Sequence, residues 1–424
     1  IKRHLSIPIV FGGIHPTSVP EKVIVEPFVD YVCIGEGDVA IVELAQAICD
    51  SRPVNAILNI WSKNQGRVHK NQIRPLINDL NIIPFPDKEL YYAESPIFKE
   101  GYLVATSRGC PFKCAYCCNN TYHALYKNAG RRVRRRSIDN ILEEVTLAKE
   151  KYHFKFIHFV DDVFNFDPSW LSIFLQKYKK DVNLPFSCYL YPDFVGDSMA
   201  KQLKQAGCFK IQMGIQIINE EKRKNLLKRI SSGSNIACAI KALKKENIYT
   251  VCDSIFGFPD ETEEDLLSLA LFLNEHIPDH CENFWLRYYP NTEITQWAFQ
   301  NGYIDAIKIE KIEKGEFNFG LVKSPEHPNT GTYANKFMFL LSLYPFLSSR
   351  LRAFILRKRI YRYLPVLNSL FSLAILRIIH HPVFDFNTLR TLRMYKFYML
   401  KKISFWCLCI YLFVFLPIYF ISKY

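Results

Sequence analysis

Three cysteines stand out by spacing. Cys110, Cys114 and Cys117 lie in the run RGCPFKCAYCC, residues 108–118, with the pattern C-x3-C-x2-C, directly after the apolar segment GYLVATS (101–107). Three thiolates on so short a loop can hold three irons of a [4Fe–4S] cube and leave the fourth iron without a protein ligand. An iron with an open position is a place where a small chelating ligand can bind. The competing chemistry is structural zinc, which closes four ligands around one ion and favours C-x2-C pairs. Cys118 is the neighbouring candidate for a fourth ligand, but adjacent cysteines do not readily turn both sulfurs onto one ion, so the cube is the better reading.

The elements that would position this loop follow a regular beat. Strand-like runs occur at 101–107, 154–160, 186–190, 209–215, 249–256 and 284–289, with helical periodicity near 137–152, 168–180, 196–207, 234–247 and 261–275. Six strands alternating with helices predict a parallel sheet. Such a sheet closes fully or partly into a barrel with its chemistry at the C-terminal strand ends. The cysteine loop falls at the end of the first strand.

On these residues the chain resembles the radical S-adenosylmethionine (SAM) superfamily, over roughly residues 96–320. The resemblance implies a partial (β/α)6 TIM-like barrel, a [4Fe–4S] cluster ligated by Cys110, Cys114 and Cys117, and SAM on the open iron. It places Tyr116 near the adenine. It assigns Asp161 or Asp162, in FVDDVF (159–164), to the amino group of SAM; loop acids or helix caps are the structural alternative. Gln216, in MGIQIINE (213–220), stands where the family often has Glu, and brings an amide without charge. Phe256, Gly257, Phe258 and Pro259 match the fifth-strand pattern whose backbone approaches the adenine, while the acids at 260–265 also read as the first turn of a helix. YLYPDFV (189–195) resembles the third-strand turn, with Tyr191 in place of a common arginine. The implied reaction is one-electron cleavage of SAM to methionine and a 5′-deoxyadenosyl radical, which takes a hydrogen atom from an unactivated carbon. The electron would come from an external donor of the flavodoxin or ferredoxin type.

Upstream, IPIVFGG (7–13) and DYVCIGEGD (30–38) are strands ending in glycines, and 39–49 has helical periodicity. Glycine at a strand end lets a ligand approach the backbone; a tight strand-to-helix turn is the alternative. This segment resembles the second half of the Rossmann-like cobalamin-binding domain that precedes the barrel in one branch of the superfamily. The resemblance places Gly12, Gly13, His15 and Thr17 along the nucleotide tail of cobalamin, and Gly35, Glu36 and Gly37 in the next loop. The implied reaction is then methyl transfer to an unactivated carbon, with oxidative cyclisation or another rearrangement as the alternative. The opening residues read like the middle of a domain, which predicts an N-terminally truncated fragment. The predicted organisation is a partial cobalamin-binding domain at 1–60, a linker at 61–95 rich in Pro and Asn, a barrel at 96–320 and a helical C-terminal region at 321–424.

Charge and composition set the remaining expectations. The chain has 424 residues and a net charge of +13. Residues 350–402 carry twelve Lys or Arg and one acid, Asp385, so most of the excess lies there. Residues 403–422 are twenty uncharged positions, long enough for a helix to cross a hydrocarbon layer of ~30 Å. They predict attachment to the inner face of a membrane; burial against the barrel is the alternative. Thirteen cysteines without a signal sequence read as reduced cytoplasmic thiols, with Cys188, Cys208, Cys238 and Cys252 as core residues. The run RRVRRR (131–136) lacks interleaved aromatics and reads as a solvated loop rather than a nucleic-acid patch. A small or lipid-like substrate fits this picture. A non-catalytic metal-binding membrane protein is the rival from a different class.

Overall fold

The computed structural model describes Lys2, His4 and residues 7–94, 100–316 and 331–364. The predicted anchor at 403–422 lies outside the described residues, and among those described no helix is long and apolar enough to cross a membrane.

Two sheets and a short ribbon organise the main unit, which takes in residues 1–86 and 101–369. The first sheet has the order β1 (Val10–Phe11), β2 (Tyr31–Cys33), β3 (Ile60–Asn64) and β4 (Arg67–Lys70). β1 and β2 run parallel; β3 and β4 form an antiparallel hairpin on β2. The sequence places a domain boundary at 60 and a linker after it, but the hairpin extends the sheet to Lys70. β3 buries Ile60, Trp61 and Ser62 in succession, while Arg67 and Lys70 of β4 face solvent beyond a turn at Gln65–Gly66, both with positive φ.

The second sheet is the predicted one. It consists of β5 (Gly101–Val104), β8 (Phe156–Phe159), β9 (Phe186–Tyr189), β10 (Cys208–Gln216), β11 (Tyr249–Phe256) and β12 (His280–Trp285). All five pairings are parallel, and the strands lie side by side in chain order. No pairing joins β5 to β12 among the described residues, so the barrel is open. Between β5 and β8, β6 (Ser107–Arg108) and β7 (Arg134–Arg135) form an antiparallel ribbon.

The connecting helices begin where side-chain caps start them. Ser137, Asp167 and Ser232 accept hydrogen bonds from Asn140, Trp170 and Asn235 N–H at the heads of helices Ile138–Tyr152, Pro168–Asp181 and Gly233–Lys245. Thr262 and Asp265 make a reciprocal capping box at the head of Glu263–Glu275. Helix Asp197–Ala206 stops at Gly207, whose φ of 102° suits a left-handed cap. The faces turned to the helices are apolar: Ile157, Phe159 and Phe186 are fully buried, and Phe159 packs among Phe164, Phe174 and Tyr178. The other face is polar. The Gln212 amide on β10 donates to Asp253 on β11 and to Glu282 on β12 at 2.9–3.0 Å. That alternation explains why β12 lies four residues upstream of the expected 284–289. Its polar positions His280 and Glu282 face the interior, so an aromatic run is a poor guide to where the strand begins.

The region after the barrel is not wholly separate. Helices Gly331–Leu343 and Ser349–Arg357 belong to the main unit. Tyr344 OH donates to Ala270 O at 2.8 Å and Arg352 Nε to Asn274 Oδ1 at 2.8 Å. Arg359 and Arg362 pair with Glu263 and Glu264. The basic run from 350 onward is therefore partly spent holding helix Glu263–Glu275. A second unit takes residues 87–100 and 370–424, of which helix Glu89–Glu94 is described.

Candidate radical SAM site

In a parallel sheet every strand delivers its C-terminal end to the same edge, and most of the barrel residues singled out from sequence lie there. The cysteine loop leaves the β6–β7 ribbon at Gly109. A Cβ on Gly109 would stand 2.1 Å from Arg132 O, and its φ is 90°, so only glycine lets the ribbon close and turn into the loop. Ala115 N donates to Leu227 O and Ile294 N to Ala115 O, which pins the loop's centre between two barrel segments. Cys114 is buried; Cys110, Cys117 and Cys118 are partly exposed. Burial pushes the Cys110 thiol up to about 12, with Asp162, Cys117 and Cys114 adding to the effect. Protons held this tightly must leave when iron binds. Among the described residues no three His, Cys, Asp or Glu converge as ligands of a single ion. A cube asks for a different arrangement, with each thiolate on its own iron. Donor type, spacing and placement at the end of the first barrel strand fit that cluster.

The two aspartates have different fates. Asp161 is 2% exposed and its carboxylate accepts from Thr106 N at 3.1 Å, from Thr106 Oγ1 at 2.8 Å and from the Ser107 hydroxyl. It ties the end of β8 to the chain after β5 and is used up by the fold. Asp162 faces the cysteines. Burial raises its pKa, partly offset by a hydrogen bond with Asn119.

Gln216 ends β10 in a left-handed conformation, φ 61°, and its buried Oε1 has no partner. Tyr116 packs on an apolar cluster that contains Ile217, Leu227, Phe258 and Tyr288. Burial raises its phenol pKa, against the opposing charge of Arg229. Phe256 is buried at the end of β11, and Gly257 N donates to Glu261 at 2.8 Å, in the turn that carries Phe258 and Pro259. Burial lifts the Glu261 carboxyl to about 8.

Arg229 is a residue that the sequence did not single out. Arg229 is 7% exposed, and its guanidinium donates toward Cys114 Sγ at 3.7 Å and Tyr116 OH at 3.5 Å, and to Gly214 O. It lies 4.7 Å from the centre of the Tyr191 ring. A cation thus sits over the residue that replaces the family's arginine. Arg229 Nε and Tyr191 OH are buried without partners.

The upstream loops are arranged differently. Gly12 and Gly13 are exposed, and nothing lies within 4 Å of a Cβ placed on Gly13. Thr17 Oγ1 accepts from Gly35 N at 2.9 Å, and burial lowers the pKa of His15 against Glu313. Gly35 has φ 76°, and a Cβ there would stand 1.9 Å from Tyr126 OH, which accepts from Glu36 N at 2.8 Å. Glu36 takes a two-pronged hydrogen bond from Arg134 at 2.6 and 2.9 Å; Asp38 takes one from Arg108 at 2.7 and 2.9 Å. The Gly35–Gly37 loop, expected beside cobalamin, is therefore docked on the barrel. The arginine run is likewise more than a solvated loop. Arg134 holds Glu36, Arg135 stacks on Phe166 and Trp170, and Arg136 holds Asn140 and Glu144. Of the cysteines expected in the core, Cys188, Cys208 and Cys252 are buried and Cys238 is exposed.

An open parallel barrel with three cysteines in C-x3-C-x2-C spacing at its C-terminal edge defines a class, and residues 104–273 match the radical SAM superfamily. That match takes in the first five strands of the barrel and is the part of the chain over which the likeness to the superfamily holds. It is 29% identical over 303 residues to an uncharacterised methyltransferase of Pyrococcus horikoshii, covering 70% of this chain and 64% of the relative. It is 24% identical over 325 residues to an anaerobic magnesium-protoporphyrin IX monomethyl ester cyclase of Rubrivivax gelatinosus, covering 73% and 55%. Among solved structures, the radical SAM methyltransferase TsrM of Kitasatospora setae, with cobalamin and a [4Fe–4S] cluster bound, superposes with a TM-score of 0.57 at 18% identity, covering 69% of this chain and 58% of that one. The chain thus spans less than two thirds of the length of these relatives.

Proposed function

We propose that this chain forms the core of a radical SAM methyltransferase acting on an unactivated carbon of a small or lipid-like substrate, with cobalamin as methyl carrier. The observation that carries the reading is the set of buried, unpartnered polar atoms around the cysteine loop: Gln216 Oε1, Tyr191 OH and Arg229 Nε. Buried polar atoms cost free energy unless satisfied, and three of those among the described residues flank this one loop, which suits a polar ligand. Together a cluster and SAM supply one-electron reductive cleavage of a carbon–sulfur bond, chemistry that no side chain provides. The chain's part is to hold and shield. Cys110, Cys114 and Cys117 would ligate the cluster. Asp162 and Gln216 are assigned to the polar end of SAM, and Tyr116 with Phe256–Pro259 to the adenine. Gly12 and Gly13 present an open backbone that suits the tail of a corrinoid. The Gly35–Gly37 loop is assigned to docking instead.

The reading is tested by anaerobic reconstitution. About four irons per chain, a broad absorption near ~400 nm and release of 5′-deoxyadenosine from SAM under reduction are expected. Zinc without iron would sink it. A methylated product that depends on added corrinoid selects methyl transfer. Ring closure without methylation selects the alternative favoured by the likeness to the Rubrivivax cyclase. An external one-electron donor is part of the proposal. So is attachment to a membrane surface through the uncharged run 403–422, which flotation with anionic vesicles tests.

A further inference from the structure

Arg229 poses a problem that its neighbours do not solve. Its side chain is buried against the cysteine loop, and none of its hydrogen-bond partners is a carboxylate; Asp253 acts on it through charge alone, and burial lifts that carboxyl to about 7. A buried cation without an anion is strongly destabilising. Yet the fold goes to some trouble to keep it there. The loop that carries it is stapled by Arg223, itself 1% exposed, which donates to Ile217 O and Ser231 O, and Arg229 N donates to Arg223 O. The Tyr191 ring stacks beneath the guanidinium and is backed by Phe112 at 3.8 Å, a residue of the cysteine loop. One N–H points at Cys114 Sγ, and Nε is left over. The anion that would answer this cation is a thiolate-ligated iron–sulfur cube on the adjacent cysteines.

We propose that Arg229 is the counter-ion of the cluster: its N–H donated to Cys114 Sγ, and its charge held in a water-poor site, raise the reduction potential of a cube bound at Cys110, Cys114 and Cys117. The inference rests on the function proposed above. Its physical basis is general. Reduction adds a negative charge to an already anionic cluster. A nearby cation and a hydrogen bond to a ligand sulfur both favour the reduced state, and a low local dielectric magnifies them. Arg229 acts through Cys114 and is a positioning and tuning residue rather than a catalytic one.

The test is a redox titration of the reconstituted full chain, without SAM, followed by the electron paramagnetic resonance of the reduced cube. Arg229→Gln, which keeps hydrogen bonding without charge, is expected to shift the one-electron equilibrium at least tenfold toward the oxidised state, about 59 mV. Arg229→Lys keeps the charge and should shift it by less than half as much. An unchanged potential in Arg229→Gln overturns the inference, as do equal shifts in both variants, which would mark a packing defect. A shift that appears only when SAM is added also overturns it, since Arg229 would then act on that ligand. Assembly of a cube in Arg229→Lys but not in Arg229→Gln supports it, because the charge is then needed for the anion to bind. Should neither variant take up iron, Tyr191→Leu loosens the guanidinium from the other side and must lower the potential for the inference to stand. Failure of the unmutated chain to assemble any cube refutes the functional reading instead, so the two failures are distinct.

Discussion

The cysteine edge of the barrel and the glycine loops of the first sheet look alike in sequence, since both are strand ends rich in glycine and polar residues. Their satisfaction differs. At the cysteine edge Gln216 Oε1, Tyr191 OH and Arg229 Nε are buried and unpaired. In the Gly35–Asp38 loop, Glu36 and Asp38 are fully engaged by Arg134 and Arg108. The contrast teaches how to sort strand-end loops. The carboxylates of the Gly35–Asp38 loop are spent on protein partners, with Arg134 Nε beside Glu36 left over there, whereas Gln216, Tyr191 and Arg229 each leave a polar atom unmatched around the cysteine loop.

The largest effect should come from the cysteine edge. Simultaneous replacement of Cys110, Cys114 and Cys117 by Ala should abolish iron uptake and 5′-deoxyadenosine release altogether, read by iron analysis and product chromatography, with the far-ultraviolet dichroism unchanged. If iron stays, the comparison collapses. Next comes the interface. Glu36→Gln leaves the buried Arg134 guanidinium without its anion and should cost about 3 kcal/mol in urea unfolding; a loss under about 0.5 kcal/mol would mean that the loop is not an interface. Asp161→Asn should cost about 2 kcal/mol, since one amide oxygen cannot accept from Thr106 and Ser107 as a carboxylate does. Asp162→Asn should leave stability alone and weaken SAM binding.

Smaller effects sharpen the contrast. Gln216→Ala removes an unsatisfied group, so apo-protein stability should hold or rise slightly, while SAM binding in the loaded chain falls about tenfold, the loss of roughly one hydrogen bond. Equal destabilisation of apo and loaded forms would refute a ligand role. The smallest effect is in pH. Burial lifts Asp253 to about 7 and Glu261 to about 8. Between pH 4 and 8 the native state therefore holds protons that the unfolded chain has released. Their stabilising contribution is full below the ordinary carboxylate range and is lost as pH rises through about 7 and 8. The urea midpoint should fall from pH 5 to pH 9, and Asp253→Asn with Glu261→Gln should flatten that fall by on the order of 1 kcal/mol. An unaltered slope would show that both groups are hydrated.

Much of the barrel was legible, because its signals are local. Apolar runs gave five of the six strands to within two or three residues, and Ser137 announces its helix as a cap does, while the caps Asp167, Ser232 and Thr262 emerged with the structure. The sixth strand slipped because its inward positions are polar. The β3–β4 hairpin was hidden by short length and Pro- and Asn-rich flanks. The cysteine spacing marked a candidate site, and the structure places that loop directly after β5 and the β6–β7 ribbon. The division of labour between Asp161 and Asp162 was not legible, since adjacent identical residues differ only in which way each points. Arg229 was invisible for a deeper reason. Its partners Cys114, Tyr116, Tyr191 and Gly214 come from three separate stretches, and nothing in the neighbourhood of residue 229 distinguishes a buried cation from an exposed one.

Helix Asn119–Leu125 begins two residues after Cys117 and hands the chain to Tyr126, whose hydroxyl sits where a side chain on Gly35 would have to go. At about 1.5 Å per residue this is a strut roughly 10 Å long, with a thiolate at one end and the first sheet at the other. The first sheet cannot rotate against the barrel without breaking the Glu36–Tyr126 hydrogen bond or dragging the strut with it. The Gly35 loop and the cysteine loop are thus the two ends of one short lever, so a displacement imposed on the first sheet is carried to the backbone beside Cys117.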